Sequence, residues 1–217
     1  MEYIYEQAIA FIVEGDTEKE FYLSLLSFLG NKHGAELTRQ NSNEGTDISY
    51  LIKQGSKCVL VKFYGCDAIS QVPKSGKWFN TQCVAKHKKE VSKWSVFLCY
   101  DTDNYKEDVT KFQEGDWSKL RATLKKAHTI VDLAAAADIE DVMLEDLSGI
   151  CSFIGCNIPE KLVGRKGNVK LRNLFRDNNS CYHKGRRARP LIDALDMQKI
   201  IDSNIIPLLT LENIIFC

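Results

Sequence analysis

Two short apolar runs, each cut off by a carboxylate, constrain this chain more than any other feature. Ala8-Ile9-Ala10-Phe11-Ile12-Val13 stops at Glu14, and Ser95-Val96-Phe97-Leu98-Cys99-Tyr100 stops at Asp101. Runs of this length without polar alternation fit strands covered on both faces, the pattern of a parallel sheet. A chain that buries two such strands needs helices on both sides of them, which predicts the α/β class.

The intervening sequence supplies the helices. Thr17 with Glu20 three residues on is a capping-box signature. Behind it Phe21, Leu25, Phe28 and Leu29 recur at helical spacing, with Tyr22 and Leu26 widening the stripe. Further along, the reading places a short helix near 48–53, a strand over 58–63, a turn at 73–77 and a basic helix over 82–92. A helix over 117–127, a short strand at 129–131 and one helical stretch over 139–154 follow. The result is a Rossmann-like, mostly parallel sheet flanked by helices. The chain's 217 residues suit one domain with a modest appendage. Residues 1–158 are expected to form the catalytic domain, and 159–217 a basic C-terminal segment packed on it. The apolar run from Ile205 to Cys217 reads as core.

Overall charge excludes little, because 29 Lys and Arg balance 29 Asp and Glu. No apolar run approaches the ~20 residues of a membrane span, and the start of the chain lacks the basic and apolar regions of a secretory signal. A cytoplasmic protein with no membrane contact is the expectation. Eight cysteines include no Cys-x-x-Cys pair, and Cys58 and Cys99 fall inside strand-like runs, so reduced thiols are expected rather than zinc or disulfides.

In open parallel sheets, ligands gather at the carboxyl ends of the strands. Glu14 and Asp101 therefore face one crevice if their strands are parallel neighbours. Asp103 can point the same way as Asp101, and Glu18 in the first helical turn can lean back toward Glu14. Acids converging in this way repel one another unless a cation neutralises them. An all-oxygen set suits Mg²⁺ or Mn²⁺. Two such ions, about 3.5–4 Å apart, can clamp the attacking and leaving oxygens of a phosphoryl transfer.

Two motifs carry a resemblance. Phe11-Ile12-Val13-Glu14-Gly15-Asp16-Thr17-Glu18-Lys19-Glu20-Phe21 is similar to the opening motif of Toprim domains, particularly those of the overcoming-lysogenization-defect (OLD) nucleases and small phage-defence proteins. Leu98-Cys99-Tyr100-Asp101-Thr102-Asp103 resembles their Asp-x-Asp motif. The likeness implies a Toprim fold, acid/base or metal-ligating work for Glu14, and metal ligation by Glu18, Asp101 and Asp103. It further implies a nuclease acting in antiviral defence, with a separate ATPase as partner, since the chain has no phosphate-binding Gly-x-x-x-x-Gly-Lys motif of its own. Asp138-Ile139-Glu140-Asp141 resembles a later acidic segment, which makes Glu140 the preferred further metal ligand. Asp141 and Asp146 read as solvated helix residues. Gly167-Asn168-Val169-Lys170 is similar to a lysine-bearing segment of such nucleases, and the likeness gives Lys170 the role of stabilising transition-state charge.

Residues 161–189 hold ten Lys and Arg against the single acid Asp177. Arg165, Lys166, Arg172, Arg176, Lys184, Arg186, Arg187 and Arg189 are the candidate nucleic-acid contacts, because an acidic crevice needs a separate basic surface to hold an anionic polymer. Tyr182 is a candidate for base stacking, while Phe175 with Leu171 and Leu174 reads as an apolar helix face. His33, His87, His128 and His183 show no convincing partners. DNA and RNA fit equally, since phosphate is what the basic segment reports. Two other classes compete: a regulatory nucleic-acid-binding subunit with a decayed site, and a phosphotransferase acting on nucleotides. The oligomeric state stays open.

Overall fold

The computed structural model describes residues 4–41, 48–67, 71–101 and 114–217. Six strands form one sheet: β1 (Tyr5–Val13), β2 (Glu36–Asn41), β3 (Ile48–Gln54), β4 (Lys57–Gly65), β5 (Val91–Asp101) and β6 (Thr129–Ala135), in the spatial order β2-β3-β4-β1-β5-β6. β4, β1, β5 and β6 run parallel, and β2 and β3 extend the sheet as an antiparallel edge. The Rossmann-like α/β fold expected from the two apolar runs is the fold observed.

Both faces are covered, so every residue from Ala8 to Val13 is buried. Ile9, Phe11 and Val13 point to one side, where α1 (Asp16–Lys32) packs. Further chain on that side forms α4 (Ile139–Met143), α5 (Leu147–Ile154), α6 (Gly167–Asp177), α7 (Arg189–Ile192), α8 (Met197–Ser203) and α9 (Leu208–Phe216). Ala8, Ala10 and Ile12 point to the other side, toward α2 (Val72–Trp78), the π-helical turn Phe79–Ala85 and α3 (Glu114–Thr123). The C-terminal segment shares the first core: Ile206, Leu208, Leu211, Ile215 and Phe216 are buried in it. Gln7 Nε2 on β1 donates to the Ile214 carbonyl at 2.6 Å. His33 bonds Glu212 at 2.6 Å and stacks on Phe216, so it is a structural residue with a firm partner. Among the described residues no helix is long and apolar enough to cross a membrane.

Several local expectations fail for identifiable reasons. Residues 48–53 form strand β3, not a helix, since they pair on both sides and return through the two-residue turn Gly55-Ser56, with Gly55 at φ 58°. Residues 73–77 lie in α2 rather than a turn; Pro73 sits at the helix start, where a missing N–H costs nothing. The expected basic helix over 82–92 is replaced by the π-helical turn, followed by β5 from Val91. That turn leaves the Gln82 carbonyl to accept from the buried Lys62 ammonium at 3.0 Å. The single helix expected over 139–154 breaks at Asp146, whose side chain caps α5 through Gly149 N–H. The capping box does not form either. Gly15 begins α1 without a side-chain cap, and Thr17 Oγ1 instead accepts from Gly185 N–H at 2.9 Å.

Phe11 is the hub of the first core, stacked on Tyr22, Phe63 and Phe97 with ring centroids 5.5, 4.7 and 5.2 Å away. Phe11→Ala is expected to destabilise the domain by about 3–5 kcal/mol, read as a lowered midpoint in urea unfolding.

Candidate carboxylate site

The parallel register of β1 with β5 sets Val13 beside Cys99, so the next residues of the two strands emerge together at the carboxyl edge. Glu14 continues the sheet by donating its N–H to the Cys99 carbonyl at 3.0 Å. Asp101 N–H in turn donates to Glu14 Oε2 at 3.2 Å. Chain leaving β1 runs to the β2 edge and returns through β3 to β4, whereas chain leaving β4 passes β1 to reach β5 and β6, so β1 stands at the crevice position expected of an open α/β sheet.

Glu18 reaches this crevice from the first turn of α1 and is 6% exposed. A side chain added at Gly15 would stand 3.1 Å from Glu18 Oε2, so the glycine gives that carboxylate its room. Glu140 arrives from α4 and is fully buried. Its Oε1 accepts from the Tyr182 hydroxyl at 2.9 Å and pairs with the Lys184 ammonium at 3.1 Å. Glu140 Oε2 is a buried oxygen with no hydrogen-bond partner among the described residues. Glu14, Glu18, Asp101 and Glu140 are thus brought together as the sequence reading expected. Asp103 lies outside the described residues.

One acid escaped that reading. Asp138 stands three residues past the end of β6 and is 1% exposed. The apolar run from Leu133 to Ala137 stops at it, so a carboxylate closing an apolar run would have been the signal to find it. It caps α4 through Asp141 N–H and accepts from Asn168 N–H at 3.1 Å, while Asp101 Oδ1 accepts from Ile139 N–H at 3.1 Å. Asp141 and Asp146, expected to be solvated, are buried. Asp141 accepts from Gly167 N–H at 2.7 Å and pairs with Lys170 at 2.8 Å. Asp146 holds Gly149 N–H, Asp196 N–H and Lys199. Burial works to raise the Asp146 pKa, yet these donors together hold it below the ordinary value. Gly167 is required for close approach: a Cβ there would collide with the α4 backbone and with Asp138.

The basic segment divides. Lys184 turns toward the acids, and Lys170 is held by Asp141, so Lys184 is the lysine whose ammonium meets the four-acid cluster. Arg189 is fixed by Asp193 at 2.7 Å and by Glu20 at 3.3 Å. Arg165, Arg172, Arg176, Arg186 and Arg187 are exposed and Lys166 half-buried, with Arg176 beside Asp177. Tyr182 is buried with its ring against Phe175, which removes it from base stacking.

The electrostatics record the crowding. Burial pushes Asp101 up to about 9, reinforced by Glu18, Glu14, Glu140 and Asp138. Burial, then the Glu14 and Glu140 charges, push Glu18 up to about 7 against its own backbone N–H and Lys184. Asp138 is pushed up to about 7 by burial and by Glu140, with Asn168 N–H opposing. The described residues contain no group of three or more acids, His or Cys already gathered at metal-binding spacing. The donor chemistry nevertheless fits a hard divalent cation, which would satisfy Glu140 Oε2 and relieve the repulsion.

Folded pKa values above the unfolded values near ~4 mean that the fold prefers these acids protonated. Their contribution to stability is complete below about pH 4, and is lost as pH rises through about 7 for Glu18 and Asp138 and about 9 for Asp101. In EDTA the melting temperature should therefore fall between about pH 6 and pH 9.5. Asp101→Asn should flatten the upper part of that fall, and Mn²⁺ should reverse it. A wild-type melting temperature that rises over this range would contradict the assignment.

No family model matches the chain, and no curated protein matches it. Among solved structures, an inactive zymogen of a C11 protease from Parabacteroides distasonis aligns over 72% of this chain and 47% of its own, at 13% identity and a TM-score of 0.36. This chain thus spans about half the length of that protease. A futalosine hydrolase mutant of Helicobacter pylori strain 26695 aligns over 92% of this chain and 99% of its own, at 9% identity and a TM-score of 0.27. Neither likeness carries an argument about the site.

Proposed function

We propose that this chain is a divalent-metal-dependent nuclease of the Toprim type, hydrolysing phosphodiester bonds of DNA or RNA. The observation that carries the reading is the meeting of Glu14 and Asp101 at adjacent parallel strand ends, joined there by Glu18 and Glu140. Glu14, Glu18, Asp101 and Glu140, with Asp103 as a fifth acid, are the residues assigned to hold Mg²⁺ or Mn²⁺, as two ions. Bound there, the cations supply Lewis-acid charge to the attacking and leaving oxygens of the phosphodiester.

The chain's own groups do the rest. Asp101 N–H fixes one oxygen of Glu14, and Ile139 N–H fixes one of Asp101, so both carboxylates are oriented before substrate arrives. Glu14 is the residue assigned to take the proton of the attacking water. Tyr182 orients Glu140, and Lys184 supplies the positive charge beside it that the family resemblance gives to Lys170. The exposed arginines of the basic segment bind phosphates outside the crevice. The motif resemblance also carries the proposal of a role in antiviral defence beside a separate ATPase.

Incubating the purified chain with plasmid DNA, single-stranded DNA and total tRNA, in Mn²⁺ or in EDTA, tests the reading. Cleavage should require Mn²⁺ or Mg²⁺. Glu14→Ala and Asp101→Ala should each lower it by more than the ~100-fold that loss of an outer-shell partner can cost a metal site, with folding intact by circular dichroism. Undiminished metal-dependent cleavage by both variants would sink the assignment. Binding without turnover on any of the three polymers would point instead to a non-cleaving subunit.

A further inference from the structure

Beside the acid crevice lies a groove of about 420 Å³ between α1, the β2–β3 edge and the turn at 185–188. Its rim carries Lys19, Arg39, Arg186 and Arg189. Arg189 and Glu20 neutralise each other there at 3.3 Å, while Lys19, Arg39 and Arg186 make no ion pair among the described residues. Three cations without an ion pair among the described residues line one depression, a local concentration of positive charge on a chain whose overall charge is zero.

The floor is different in kind. Arg39 and Tyr50 face each other directly across the β2–β3 ladder, so their side chains share the face that looks toward α1. The Tyr50 ring is held edge-on by Phe63, with centroids 5.9 Å apart, and the rest of it lines the groove. Leu23, Leu37 and Ile48 complete an apolar floor. Burial raises the Tyr50 pKa; Arg39, Arg189 and Arg186 act to lower it, and Glu20 acts to raise it.

The groove is also tied to the acids. Lys19 follows Glu18 directly in α1, and Arg186 follows Gly185, whose N–H is bound to Thr17 Oγ1 at 2.9 Å. The groove and the carboxylate cluster thus share the first turn of α1, which carries Glu18 toward one and Lys19 toward the other.

We propose that this groove binds a single-stranded segment of nucleic acid, phosphates on Lys19, Arg39 and Arg186 and one unpaired base on Tyr50, and leads it toward the crevice. A fixed aromatic ring in the same groove as Lys19, Arg39 and Arg186 suits an unstacked base and its flanking phosphates. A duplex keeps its base faces stacked inward and cannot offer one to Tyr50. The inference deepens the nuclease reading by naming the form of its substrate, and it rests on that reading for the direction of the strand.

The test measures binding without cleavage, by fluorescence anisotropy of a labelled 12-nucleotide strand in EDTA. The Arg39→Ala/Arg186→Ala variant should bind at least about 10-fold more weakly, and its salt slope should fall by about 1.4, the ~0.7 per phosphate contact of single strands. Tyr50→Leu should lose about 10-fold and Tyr50→Phe should bind normally, the second variant separating ring stacking from a folding defect. Lys125→Ala/Lys126→Ala removes the same charge on the far side of the sheet and should leave affinity unchanged. Wild-type affinity and salt slope in a folded Arg39→Ala/Arg186→Ala variant would overturn the groove. So would loss confined to an Arg172→Ala/Arg176→Ala variant, or equal affinity for a 12-base-pair duplex. Asp101→Ala separates the two readings: normal binding without cleavage supports both, whereas cleavage that survives in Asp101→Ala sinks the metal site and leaves the groove standing.

Discussion

Repulsion between carboxylates that cannot move apart is the constraint on which this structure turns. The parallel pairing of β1 with β5 fixes Glu14 and Asp101 side by side, and neither can withdraw without breaking the sheet. The surrounding chain is arranged to tolerate that charge. Backbone N–H groups from Asp101, Ile139, Asn168 and Gly167 are directed at acidic oxygens. Lys170 and Lys184 come back from the C-terminal half to two of the acids. Even so, Asp101 and Glu18 are held well toward their neutral forms. A buried polar network of this kind is tolerable only while its members are satisfied. Glu140 Oε2 is one of the buried oxygens that the described residues leave without a hydrogen-bond donor.

How far the sequence discloses this differs by element. The strands β1 and β5 are legible because apolar runs covered on both faces have no competing reading at that length. Their terminal acids are legible for the same reason, since a carboxylate closing such a run has only the strand end to occupy. Asp138 also closes an apolar run, but it lies past the strand end and β6 is only partly buried along most of its length, so that run is less distinct. The antiparallel strands are hardest to see. β2 carries mixed polar residues, and β3 pairs antiparallel on both sides, so its character depends on partners remote in sequence. The α2 segment misleads through its proline and glycine. Pro73 starts the helix, and Gly76 lets α2 approach Thr123 and Leu120 on α3, where a larger residue would collide.

The basic segment shows why charge counts alone understate a structure. Ten cations within 29 residues read as one surface, yet they do at least three different things. Lys170 and Lys184 are consumed in ion pairs with buried acids, Arg189 braces α1 against α7, and the exposed arginines face solvent. Composition reports how many charges are present, whereas pairing within the fold decides which remain available to a polyanion. Arg39, which lies outside the basic segment, joins Arg186 only because β2 and the 185–188 turn flank the same helix.

The bond between Gln7 and Ile214 joins positions 207 residues apart, and the strand it anchors is the centre of the sheet. The first core contains Phe11 near one extreme of the sequence and Phe216 near the other. During synthesis β1 therefore emerges well before α9, which completes the cover of its α1-facing side. Contacts of such long sequence separation are entropically late, and they slow folding. Until α9 is made, the apolar strands β1 and β5 lack part of their cover, so the nascent chain depends over that interval on being shielded from other apolar surfaces.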